Sequence, residues 1–79
     1  MFSRWVPDLW DPWEVLGLTP GASLEQARAT YRRLVRANHP DALVAKGLPE
    51  EMIELATRRL ADVNKAWAEV RGALEGAPA

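Results

Sequence analysis

The stretch Ala27-Arg28-Ala29-Thr30-Tyr31-Arg32-Arg33-Leu34-Val35-Arg36-Ala37-Asn38-His39-Pro40-Asp41 decides the architecture. It holds four arginines and no acid between Gln26 and Asn38, and it stops at a His-Pro-Asp tripeptide. Helical spacing puts Leu24, Ala27, Tyr31, Leu34, Val35 and Asn38 on one side. Arg32, Arg33 and Arg36 fall on the flank and back of that stripe, with Arg28 at its edge. Pro40 ends the helix, because proline biases the residue before it away from the α conformation and carries no amide hydrogen to donate. The segment therefore reads as a cationic rod ending in an exposed corner, the shape of a docking device.

Working outward, the N-terminal side supplies two further helix starts. Asp11-Pro12-Trp13-Glu14 combines a capping carboxylate, a proline suited to the first helical position and a glutamate placed to return the cap. Trp13 and Leu16 then face the core, and Gly17 closes a short helix. Thr19-Pro20-Gly21-Ala22 has proline and glycine in the two central places favoured by a type II turn. Ser23 caps the rod, with Gln26 completing a capping box. Residues 1–10 include Trp5, Val6, Leu9 and Trp10 without a clear period. They read as an arm packed on the domain, or as a tether to another domain or partner.

On the C-terminal side, Ala42 to Leu48 is too apolar for a fully solvated loop, and a helical turn with Leu43 or Leu48 folded inward is expected. Pro49 then opens the longest helix, whose first turn carries Glu50, Glu51 and Glu54 as the helix dipole favours. Ile53, Ala56, Leu60, Val63, Trp67, Val70 and Leu74 alternate at steps of three and four, a seam for another helix, with Glu54 and Arg58 spaced as an outward ion pair. Gly72 weakens the last turn, and residues 76–79 read as a tail. The seams define an all-α domain: an antiparallel hairpin of helices about 23–38 and 49–71, with a short helix about 12–17 across it. The domain occupies residues 11–75. Neither a strand pattern nor an internal repeat is present.

Composition limits the function. The 79 residues carry ten basic and eleven acidic side chains, for a net charge of −1. A chain of this size buries about 60–65% of its unfolded surface and leaves no room for a deep cofactor cavity beside a core. The charge is nearly balanced yet polarised, which suits steering toward an acidic protein surface better than general nucleic-acid binding. With no cysteine, disulfides and thiolate metal sites are excluded, and a reducing compartment is permitted. No apolar run approaches the ~20 residues needed to span a bilayer. Arg4, Pro7 and Asp8 break any signal-peptide pattern. His39 has neither a nucleophile nor a second histidine at a sensible spacing, so catalysis and metal ligation are not expected.

Asp11-Pro12-Trp13-Glu14-Val15-Leu16-Gly17-Leu18, Tyr31-Arg32-Arg33-Leu34, His39-Pro40-Asp41 and Asn64-Lys65-Ala66-Trp67 together resemble the J-domain family, the DnaJ-type Hsp70 co-chaperones, over about Asp11 to Val70. Trp13 and Trp67 stand where the family usually has tyrosine. The segment Leu43 to Glu51, Leu-x-x-x-Gly-Leu-Pro-Glu-Glu, is similar to that of the C-terminal J-domains of membrane-anchored, DjlA-like bacterial proteins. Three departures stand out. Ala42 follows the tripeptide instead of a basic residue, the loop is longer and more apolar, and no fourth helix with a basic end follows Val70. The glycine/phenylalanine-rich and zinc-binding regions of larger co-chaperones are absent from this stretch.

The resemblance implies a monomeric, non-enzymatic and cofactor-free module whose partner is a DnaK-type Hsp70, with no nucleic acid and no membrane span. It implies a cytoplasmic location, on its own or as the cytoplasmic part of a membrane-anchored protein. Carried over by position, Arg28, Arg32, Arg33 and Arg36 would steer to acidic groups on the Hsp70. Asp41 would bond a partner arginine, Pro40 would stiffen the corner, and His39 would make packing and hydrogen-bond contacts. Each has a plainer alternative: arginines on a helix are usually a solvated face, and Asp41 could simply cap the following turn. A nucleic-acid module and a J-like scaffold without Hsp70 coupling are the rival functions. The acidic balance and the lack of a basic arm weigh against the first, and the intact tripeptide against the second.

Overall fold

The computed structural model describes residues 10–76, so the expectations for residues 1–9 and 77–79 lie outside the described residues. Four helices follow one another: α1 (Pro12–Leu16), α2 (Leu24–Asn38), α3 (Pro40–Ala45) and α4 (Glu50–Glu75). No strand occurs among the described residues. The expected all-α hairpin with its short crossing helix is present.

Local chemistry sets most of the boundaries. Asp11 Oδ1 accepts from the Trp13 amide at 3.0 Å to start α1, although Glu14 does not return the bond. Gly17 ends α1 at φ 75°, in the left-handed region that costs glycine least. The next turn closes with the Ala22 amide on the Thr19 carbonyl at 3.0 Å. Gly21 keeps a non-positive φ, so the turn is not the expected type II. Ser23 and Gln26 exchange both bonds of the capping box, at 3.1 and 2.9 Å. A left-handed Gly47 (φ 77°) closes α3, with its amide on Val44 O at 2.9 Å and that of Leu48 on Leu43 O at 3.2 Å.

Packing then brings the faces together. Tyr31 of α2 meets Asn64 and Trp67 of α4, while Asn38 shares a groove with Met52 and Ala56, so the two long helices run antiparallel. The centre of the core is Leu16, Ala27, Val63, Ala66 and Val70. Trp13, Tyr31, Leu34, Trp67 and Leu74 pack around it half-buried. Burying each large apolar side chain contributes about 1.5–3 kcal/mol. Two of the central residues are alanines with no exposed surface, so the helices approach closely at those points. Ala66 was not part of the expected seam, and Ile53 and Leu60, which were, are only half-buried.

Two further differences concern α4. Its helix runs through Gly72 to Glu75, because nothing in the fold interrupts the backbone ladder there. The expected Glu54–Arg58 pair does not form; the ion pair within 4.0 Å among the described residues is Arg71–Glu75, at 3.8 Å and exposed. Trp10 fastens the start of the domain to α4. Its indole N–H donates to Glu69 Oε1 at 2.8 Å, and Lys65 Nζ lies 4.7 Å from its ring centroid.

Candidate functional site

The basic face is built by helical spacing. Arg28, Arg32 and Arg36 recur every four residues and form one row along α2, with Arg33 beside it. Arg32, Arg33 and Arg36 are exposed and Arg28 is half-buried at the edge of the apolar stripe. None has a carboxylate within 4.0 Å among the described residues. An arginine row without acids to neutralise it projects an uncancelled positive field. The row is held in place from behind. Tyr31 stacks on Trp67 with centroids 4.9 Å apart and planes 10° from parallel, and its hydroxyl donates to Asn64 Oδ1 at 2.7 Å.

The corner is a junction of two helices that share one residue. Asn38 ends α2 and turns its side-chain amide back onto the Leu34 carbonyl at 2.9 Å, satisfying one acceptor of the last turn. His39 has φ −72° and ψ 126°, the extended geometry that the following proline demands. It is at once the C-cap of α2 and the N-cap of α3. Pro40 takes the first helical position of α3, where its missing amide hydrogen costs nothing. The Asp41 amide donates to His39 Nδ1 at 3.2 Å, and the Leu43 amide to the His39 carbonyl at 3.2 Å. The plainer alternative for Asp41, capping the following turn, does not occur among the described residues; the His39 imidazole caps it instead.

His39 and Asp41 are exposed and Pro40 is half-buried. The Asp41 carboxylate accepts no hydrogen bond and joins no ion pair among the described residues. Leu43 pins the corner from inside, with 7% of its surface exposed. Thus all seven residues singled out from the sequence lie on α2, at its shared cap His39 or in the first turn of α3, with the carboxylate just past the end of the arginine-bearing helix. The arrangement offers charge-assisted hydrogen bonds to a partner. Among the described residues no cluster of three or more His, Asp or Glu side chains is placed to hold a metal ion.

One surface was not anticipated. Beside the corner, an open groove of about 530 Å³ is lined by Leu43, Leu48, Met52, Leu55, Arg58 and Arg59, among others. Leu55 and Met52 are 61% and 52% exposed. Both stand off the seam on the helical wheel, so spacing alone predicted neither a core nor a surface role for them.

Comparison with known proteins places this geometry. No family model matches the chain, and no solved structure does. Among curated proteins, Co-chaperone protein DjlA of Coxiella burnetii is 44% identical over 61 residues, which are 77% of this chain and 23% of that protein. Co-chaperone protein DjlA of Shewanella oneidensis is 43% identical over 61 residues, with the same two shares. That of Legionella pneumophila is 47% identical over 53 residues, 67% of this chain and 18% of the relative. The chain spans less than a quarter of the length of these relatives. In sequence over these residues and in its all-helical fold, the chain matches a DjlA-like J-domain.

Proposed function

We propose that this domain is a co-chaperone module that docks on an ATP-bound, DnaK-type Hsp70 and stimulates its ATP hydrolysis and client capture. The observation that supports the reading is the Asp41 carboxylate, exposed at the end of a helix with four arginines, none of the five groups having an ion-pair partner among the described residues. Arg28, Arg32, Arg33 and Arg36 steer the encounter toward acidic groups. Asp41 then makes a charge-assisted bond with a partner arginine, and Pro40 keeps the corner stiff. The domain performs no chemistry of its own. It binds one state of the partner's conformational cycle more tightly than the other, and that difference in affinity shifts the partner toward hydrolysis.

The module works as a monomer on the cytoplasmic side, where ATP is available to the Hsp70. Val44, Met52 and Leu55 are the large apolar side chains exposed among the described residues. No helix of the described residues is long and apolar enough to cross a membrane.

The deciding experiment is single-turnover ATP hydrolysis by a DnaK-type Hsp70 with the wild-type domain and with Asp41→Asn. The substitution removes the charge and keeps the shape. Wild type should accelerate hydrolysis, and Asp41→Asn should lose about ten-fold or more of that acceleration, since a charged hydrogen bond contributes roughly 1.5–3 kcal/mol, while its circular dichroism stays helical. Equal stimulation by both would remove the corner from the mechanism.

A further inference from the structure

We propose that His39 is a positioning residue: its imidazole caps α3, and through that cap it fixes where Asp41 presents its carboxylate. The geometry stands by itself, whereas its functional consequence rests on the Hsp70 reading above.

The argument begins with the bond. His39 Nδ1 lies 3.2 Å from the Asp41 amide nitrogen and accepts its hydrogen. A ring nitrogen that accepts carries no proton, so the neutral imidazole holds its single hydrogen on Nε2. This cap is unusual, because the preferred N-cap residues are asparagine, aspartate and serine. It also has little help. Pro40 brings no amide hydrogen, so the Asp41 amide is the first donor of α3, and Nδ1 is its partner. A helix of six residues is far below the length that holds its shape alone. It is tied at its start by His39 and in its middle by buried Leu43.

The consequence falls on the next residue but one. The capped amide and the docking carboxylate belong to the same amino acid, so holding the first fixes the origin and direction of the second. Asp41 is exposed and its carboxylate has no other tether among the described residues. Without the cap, the Leu43 amide still holds the His39 carbonyl, but the Asp41 amide loses its partner, and the carboxylate loses the fixed origin that bond gives it. His39 thus acts through Asp41, and the imidazole need not be touched by the partner at all.

Side-chain geometry makes the two roles separable. Asparagine Oδ1 and histidine Nδ1 stand the same number of bonds from the backbone, so His39→Asn restores the capping acceptor and deletes everything beyond it. Glutamine reaches one carbon further, and its amide nitrogen takes the place of the outward Nε2–H. His39→Gln therefore keeps a mimic of any outward contact and loses the cap, and His39→Ala loses both.

The full chain with these three substitutions should be tested in two ways. In the free protein, nitrogen-15 spectra of the neutral ring should show Nδ1 without a proton, and hydrogen exchange of the Asp41 amide should accelerate in the Gln and Ala variants but much less in the Asn variant. With an ATP-loaded DnaK-type Hsp70, stimulation should fall about ten-fold for Gln and Ala and return to within roughly three-fold of wild type for Asn, the scale set by losing one helix cap. A proton on Nδ1 overturns the proposal. So does Gln outperforming Asn, which would assign His39 to direct contact, or an Asn variant as poor as Ala. A wild type that fails to stimulate but keeps the tautomer and the slow Asp41 amide would sink the Hsp70 reading and leave the cap intact.

Discussion

Ala27 and Ala66 have no exposed surface, and their side chains are the smallest in the core. Each sits where two helices converge, so a larger residue there has no free volume to enter. Ala66→Leu should destabilise the domain by about 1–3 kcal/mol through overpacking. Val63→Ala, at 1% exposure, should cost about the same by the opposite route, lost burial and an unfilled cavity. Urea unfolding followed by circular dichroism checks both, and wild-type midpoints for either would mean that the core is looser than its geometry. Residue identity made half of this legible. Leu16, Val63 and Val70 announce themselves by size and spacing, and they are buried. Ala66 does not, because an alanine on a helix reads as neutral until a neighbouring helix is known to lean on it. The same holds for His39. Its exposure beside a proline followed from the helix stop, but its bond to the Asp41 amide depends on a ring rotation that no spacing encodes.

Elements fixed by bonds between near neighbours were the readable ones. The Ser23–Gln26 box, the Asp11 cap and the glycine that ends α1 each involve residues within five positions of one another. The third helix was harder, since Pro40–Ala45 is held by Leu43 burying itself near α4, and the sequence disclosed an apolar segment without its partner. The end of α4 shows the reverse error. Gly72 suggests an early end, because glycine is a poor helix former, yet 26 residues propagate through it to Glu75. Propagation adds one bond per residue, so a single unfavourable position inside an established helix lowers stability without breaking it. Gly72 is exposed, and a Cβ built there would meet no atom within 4 Å. Gly72→Ala should therefore stabilise the domain by about 0.5–1 kcal/mol, with a higher thermal midpoint. A lower midpoint would show that the last turn needs the glycine.

At the scale of the whole molecule, the separation of charge matters more than its sum. A net charge of −1 hides a helix whose four arginines face no carboxylate within 4.0 Å among the described residues, while Glu50 and Glu51 sit in the first turn of α4. The acids there suit the helix dipole. Under the docking proposal, Arg32 and Arg33, both exposed, act mainly by long-range attraction, whereas Asp41 acts at close range. Salt distinguishes the two. The screening length is about 10 Å at 0.1 M ionic strength and about 3 Å at 1 M, so steering should fade while a desolvated contact persists. Arg32→Ala and Arg33→Ala should thus slow association with an ATP-loaded Hsp70 several-fold at low salt and hardly at all in high salt, as electrostatic on-rates do. Asp41→Asn should weaken the complex at both salt concentrations. Stopped-flow association across a salt series would show the contrast, and arginine variants whose defect ignores ionic strength would mean that the guanidinium groups act as close contacts on the partner and do not serve as a guiding field.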